Sequence, residues 1–202
     1  FTGLVFPVVL DPTFAVAASA DDVGTTAPST FSIVSTALTT GVLGAAVRNS
    51  AMRFLNMNIP QGSTINSAFI TFVCMFAREG TTMLTNLSLE DVDNAAQITT
   101  YDDFNARALT AVVAWDNLEA WVLGTSYNTP SLVTPFQTVI NRALWSANNA
   151  LNVFWKDDGS TDGAVRSGAS WDNTTYTEPV LTITWTAPSG AALPDASYAG
   201  LF

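Results

Sequence analysis

Histidine is absent from this chain, and cysteine and lysine occur once each, as Cys74 and Lys156. Without histidine the chain alone can build no Ser-His-Asp or Cys-His nucleophile system. A histidine-rich zinc site is excluded as well. A lone cysteine forms no disulfide within one chain. The single lysine precedes Asp157, so there is no Gly-Lys-Ser/Thr phosphate loop. Charge is scarce too: charged residues make up 12% of the chain, about half the roughly 25% usual for soluble domains. Seven basic residues face seventeen acidic ones, for a formal net charge of −10. That balance opposes phosphate backbones, so no nucleic-acid partner is expected. Long apolar runs are also missing. Mean hydropathy is +0.27, yet the longest apolar run, Phe69 to Ala77, is interrupted by Thr71. It is too short to cross a bilayer as a helix, and no membrane span is expected.

What remains is a chain of 202 residues rich in threonine, serine, asparagine and alanine. A chain of this length buries roughly 70% of its unfolded surface and needs no covalent staple. The low-charge surface style suits a protein outside the cytoplasm, or one packed beside neighbours in a large assembly. No secretory signal is visible, and the chain begins with Phe1. This reads as a processed or truncated start of a longer precursor.

Hydrophobic periodicity predicts mostly short strands. Phe1 to Leu10 is apolar throughout, but Pro7 restricts it to an edge strand or a docked arm. Ala15 to Thr30 reads as turn-rich, and Phe31 to Leu38 alternates as a strand. Ala51 to Asn58 follows as a strand with Met52 and Phe54 on one face. Ile59-Pro60-Gln61-Gly62-Ser63 reads as a turn. Ile65 to Arg78 carries apolar residues on both faces, which predicts a strand covered on both sides, with Cys74 as a buried structural thiol. Met83 to Leu89, Leu109 to Trp115, Ala150 to Trp155 and Val180 to Trp185 read as further strands. Asp102 to Arg107 and Asn117 to Trp121 read as single helical turns. One helix stands out: Thr134 as N-cap, Pro135 at the first helical position and Gln137 at the third form a capping box, followed by Phe136, Val139, Ile140 and Ala143 at helical spacing. The fold class expected is all-β, a β-sandwich of jelly-roll type with one short helix. Residues 1–12 are read as an apolar arm, 13–186 as the sandwich domain and 187–202 as a tail.

Several segments in order carry a family resemblance. Arg53-Phe54 precedes Ile59-Pro60-Gln61-Gly62-Ser63-Thr64-Ile65-Asn66-Ser67-Ala68-Phe69-Ile70. Glu90-Asp91-Val92-Asp93-Asn94-Ala95, Ala114-Trp115, and Gly124 to Pro130 come next. Gln137, Trp145 to Leu151, Arg166-Ser167 and Glu178-Pro179-Val180-Leu181 complete the order. Over residues 13 to 186 this resembles DNRLRE-type domains, which are also classed as carbohydrate-binding modules. It is closer still to related modules of phage and metagenomic virion or surface proteins. Relatives commonly carry Gly where this chain has Ala147. The resemblance implies a β-sandwich and a non-catalytic role, with no binding motif to map residue by residue.

Three groups of residues are candidates for function. The apolar ends (Phe1, Leu4, Val5, Phe6, Leu10, Leu201 and Phe202) are candidate assembly arms, because free apolar ends call for a partner to cover them. Trp171 and Tyr176, in a polar turn, and Tyr127 form a candidate platform for sugar rings. The acidic turns Glu90, Asp91, Asp93 and Asp157, Asp158, Asp162 offer oxygen ligands that suit Ca²⁺. No carboxylate pair lies in a glycosidase motif, so no enzyme activity is expected. The reading is a structural surface protein, foremost a capsid decoration or fibre component of a virion. Its partners are then copies of itself or capsid proteins, at the virion surface or outside the cell. A carbohydrate-binding module or an extracellular filament subunit is the alternative, with glycans as partners in the former case.

Overall fold

The structure, a computed structural model, describes the backbone of Val9–Leu10 and residues 12–76 and 82–188. Among them the element order opens with β1 (Val9–Leu10), β2 (Thr13–Ala15), a 3-10 turn (Ser19–Asp21), β3 (Asp22–Thr26), β4 (Thr30–Ser32), β5 (Ala37–Leu43) and β6 (Ala46–Met57). It continues with β7 (Thr64–Phe76), β8 (Leu84–Leu89), α1 (Tyr101–Ala106), β9 (Val113–Asp116), β10 (Ser126–Asn128) and α2 (Val133–Ile140). It closes with β11 (Asn149–Asp157), β12 (Val165–Ala169) and β13 (Val180–Thr186). The fold is all-β. The strands form one antiparallel path, β1-β13-β7-β12-β5-β6-β11-β8-β9, with β10 on β7, β2 on β13, and β3 between β6 and β4. The long strand β7 joins the two parts of the path. Its first half pairs with β13 and its last residues pair with β12.

The sheet curls around a single large apolar cluster that takes one side of nearly every strand. Ile70 and Phe72 of β7, Met52 and Phe54 of β6, Val153 and Trp155 of β11, and Leu181 and Trp185 of β13 all enter it. Helix α2 closes it with Phe136, Val139 and Ile140. At its centre Phe72, Trp115, Trp121 and Trp155 stack or tilt against one another, with ring centroids 5.0 Å apart for Phe72 and Trp155. Each large side chain so buried contributes about 1.5–3 kcal/mol. The polar handle of Trp155 is not wasted: its Nε1 donates to Thr85 Oγ1 at 3.0 Å, and that hydroxyl donates to the carbonyl of Trp115. A second, smaller cluster of Val23, Ala51, Ile98, Phe104 and Phe154 lies on the other side of β6 and β11. It forms because α1 and the segment before it fold over those strands.

The helix expectation needs correcting in number and in detail. There are two α-helices among the described residues, not one, since the turn at Asp102 to Arg107 is realised as α1. Thr100 caps α1, its side chain accepting from the Asp103 N–H. In α2 the expected capping box does not form. Its N-cap position is Leu132, with no side-chain cap. The Gln137 side chain turns outward instead. It accepts from the Ile65 N–H and donates to the Ser63 carbonyl, both at 2.9 Å. A long-range partner has displaced the local one.

Several strand readings shift. The stretch Phe31 to Leu38 is broken into β4 and β5, because Ser35 engages the backbone of Ala37 and turns the chain. Part of the turn-rich Ala15 to Thr30 is β3, paired to both β4 and β6. The Leu109 to Trp115 strand is confined to β9, with a single bridge from Leu109 to Glu90. The helical turn at Asn117 to Trp121 is absent. Strand β12 was not anticipated at all. Strand β7 is buried on alternate residues, not on both faces. Cys74 is a buried thiol as expected, and burial pushes its pKa up.

Candidate functional site

The Ile59 to Ser63 turn forms as read. Ser63 donates to the Pro60 carbonyl through both its N–H and its hydroxyl, and Gly62 takes a positive φ of 71°. Trp145, which follows α2, is buried and donates from Nε1 to the Ile59 carbonyl at 2.9 Å. Arg166 is fully buried in β12. Its guanidinium donates to the carbonyls of Leu118, Glu119 and Val165. These residues of the resembling segments do structural work.

The acidic turns are divided among internal partners. Glu90 is buried and pairs with Arg107 at 2.9 Å, while its other oxygen accepts from Asn152. Arg107 also grips Asp103 at 2.8 Å. The hydrogen bond from Arg107 holds the Asp103 carboxyl below the ordinary carboxylate range, and the guanidinium in turn is held above its own ordinary value. Asp91 and Asp93 pair with Arg142. The second acidic turn is held by backbone N–H groups. Asp157 accepts from the N–H groups of Gly159 and Ser160. Asp162 accepts from those of Ala45 and Gly163, and Asp158 stands exposed. The two turns are not brought together. Among the described residues no three His, Cys, Asp or Glu side chains converge as a metal-binding group.

The aromatic candidates lie on two segments that meet at Gly124 and Tyr176. Gly124 lies against Tyr176: a Cβ there would sit 3.2 Å from the Tyr176 ring. The 121–125 and 170–178 loops therefore touch. Tyr127 has one ring face already taken, since it stacks on Trp121 at 4.6 Å with planes 4° apart. Its hydroxyl accepts from the Val122 N–H at 2.8 Å. Trp171 is 44% exposed, and Val122 and Leu123 beside Gly124 are exposed too. Of the three platform residues, Trp171 is the one that offers an open ring.

The Trp171 loop is stitched down by a carboxylate that the sequence reading did not single out. Asp22, at the start of β3, is buried and accepts from the Trp171 N–H at 2.7 Å. Burial pushes its pKa up to about 7. The Trp171 hydrogen bond opposes this, and the negative charges of Asp172, Asp21 and Glu178 add to it. Ser19 holds Asp172, Asn173 holds the Thr36 carbonyl, and Ser170 holds the Ser35 carbonyl. The only signal in the sequence was the Asp21-Asp22 pair before an apolar residue, which reads equally well as a turn.

The assembly-arm residues Phe1, Leu4, Val5, Phe6, Leu201 and Phe202 lie outside the described residues. For Leu10 only the backbone is described, and it adds to the edge of β13 opposite Trp185 in the same chain. No known protein family matches this chain, and no curated protein matches it. No helix among the described residues is long and apolar enough to cross a membrane.

Proposed function

We propose that the protein is a non-catalytic structural block of a surface assembly, foremost a virion component such as a capsid decoration or fibre module. One observation carries this reading. Four arginines are engaged by partners within the fold, while large apolar side chains are presented outside it. Arg53, Arg107 and Arg166 serve as internal struts, and Arg142 clamps Asp91 and Asp93 at the surface. Meanwhile Leu144 is 77% exposed, Val34 69% and Val122 62%. A surface poor in charge and dotted with apolar side chains suits close contact with neighbours. Copies of the same chain or capsid proteins are the partners in this reading, with closed symmetry as the default arrangement. The setting is the virion surface or the extracellular space, and the resemblance to virion and surface modules points the same way. Light scattering tests it, on the full chain and on a version lacking residues 1–12 and 187–202. Assembly of the full chain with loss of assembly in the trimmed one supports the proposal. Two well-behaved monomers overturn it.

A carbohydrate-binding module is the second reading, favoured by the open ring of Trp171 beside the Tyr176 loop. It predicts a monomer whose Trp171 fluorescence is quenched or shifted by one class of glycan, with the response lost in Trp171→Ala. Ca²⁺ enters this reading only through the acidic turns. An unchanged melting temperature with added Ca²⁺ would count against that role.

A further inference from the structure

Strands β3, β4, β6 and the start of β5 enclose a groove of about 310 Å³. Residues paired across antiparallel strands point to the same side of a sheet. Thr26 is paired with Thr30 on β4 and with Arg48 on β6, and Gly24 is paired with Ser32. These five residues therefore share one face, and Thr39 of β5 completes the wall. Most of the lining residues carry hydroxyls, and the lining contains no carboxylate.

Arg48 sets this groove apart. Each of the other arginines among the described residues donates to a carboxylate or a carbonyl within the fold. Arg48 has no ion-pair partner among the described residues, and its Nε is shut off from solvent with no hydrogen-bond acceptor. A buried N–H without an acceptor is unfavourable until something accepts from it. The hydroxyls of Thr26 and Thr30, on the same face, each carry a donor and two acceptor positions. In a chain of net charge −10, this is a local basic, hydroxyl-lined pocket.

We propose that this groove binds a small hydroxylated ligand bearing an oxyanion, with Arg48 donating to the oxyanion and the Thr26 and Thr30 hydroxyls engaging the rest. The planar guanidinium fork matches a carboxylate or phosphate group better than any neutral partner. The absence of carboxylates from the lining disfavours a cation. The volume lies at the lower end of the roughly 300–1,000 Å³ typical of small-molecule sites, so the ligand is small. The groove adjoins the Trp171 loop through Ser35, which lines it and whose carbonyl accepts from the Ser170 hydroxyl.

The test is titration calorimetry at low ionic strength on the full chain. The probes are inorganic phosphate, sulfate and D-glycerate, with glycerol as the uncharged control. Saturable one-to-one binding of at least one anion, with none of glycerol, is expected. Phosphate against glycerate tells which oxyanion is preferred. Arg48→Gln is expected to weaken binding at least about tenfold, the scale of a charge-assisted hydrogen bond. Gly24→Leu is expected to block the groove while the melting temperature holds, because a Cβ at Gly24 meets no atom within 4 Å. Absence of saturable anion binding overturns the proposal. So does wild-type affinity in both variants, or binding of glycerol as strong as that of the anions.

Discussion

Strands β7 and β11 invite comparison, because both are apolar and both lie inside the sheet. Along β7 the buried residues alternate: Ala68, Ile70, Phe72 and Cys74 face the large cluster, while Phe69, Val73 and Met75 are only half-buried. Along β11 six consecutive residues, Ala150 to Trp155, are buried. The outer side of β11 includes Phe154, which is covered by Phe104 of α1 at a ring distance of 5.0 Å. Asn152 on that side is held by Glu90 and the Ala96 carbonyl. The strand with more apolar side chains has the less covered outer face. Double coverage depends on whether another segment folds over the strand, and here that segment is 91–109. Lys156 adds to it, lying over the Phe104 ring at 5.1 Å, with burial lowering its pKa.

The largest expected break in this comparison is Trp155→Ala, on the side that both strands share. It removes a fully buried indole and leaves the Thr85 hydroxyl without its donor. A loss of about 5 kcal/mol is expected in urea unfolding, at the upper end for such truncations.

Asp22 tests how dry the large-cluster side is, since it is the cross-strand neighbour of Met52. Carrying a carboxyl from its ordinary 3.8 to about 7 corresponds to roughly 4 kcal/mol. The folded state holds this proton more tightly than the unfolded chain. Its stabilising contribution is therefore fully present below about pH 4 and is lost as the pH rises towards 7. Denaturant midpoints are expected to fall over that window in the parent chain. Asp22→Asn, which keeps an acceptor for the Trp171 N–H, is expected to flatten the fall. An unchanged slope in that variant would show that Asp22 is not the group responsible.

Phe154→Ala attacks only the outer cover of β11. The expected cost is about 3 kcal/mol, together with faster amide exchange in residues 98–106 as α1 loosens. Val73→Thr, on the outer side of β7, is expected to cost less than about 1 kcal/mol. If Val73→Thr were as damaging as Phe154→Ala, the two outer faces would be equally covered and the contrast between the strands would fail.

Much of the fold is legible where a signal is local. Strands β6, β8, β11 and β13 follow from apolar alternation or from apolar runs, and the Pro60-Gly62 turn follows from backbone preference. Strand β12 is not legible, because Val165 to Ala169 holds an arginine, a serine and a glycine. It is buried since it lies between β5 and β7, where Gly168 allows the Phe72 ring to approach: a Cβ there would sit 2.7 Å from it. The first acidic turn is visible as a cluster, but its arginine partners lie 17 and about 50 residues further along the chain. Arg48 and its groove left no mark, because β3, β4, β5 and β6 meet there only through pairing.

Sequence alone determined the all-β class, the buried thiol, the position of α2 and the exclusion of histidine-based and phosphate-loop chemistry. Those conclusions rest on residue identity and on periodicities of a few residues. Only the tertiary structure decided which apolar faces are covered, which carboxylates meet arginines, and which arginine among the described residues is left without a partner. These depend on non-local pairing, where one segment's burial is set by another segment distant in the chain.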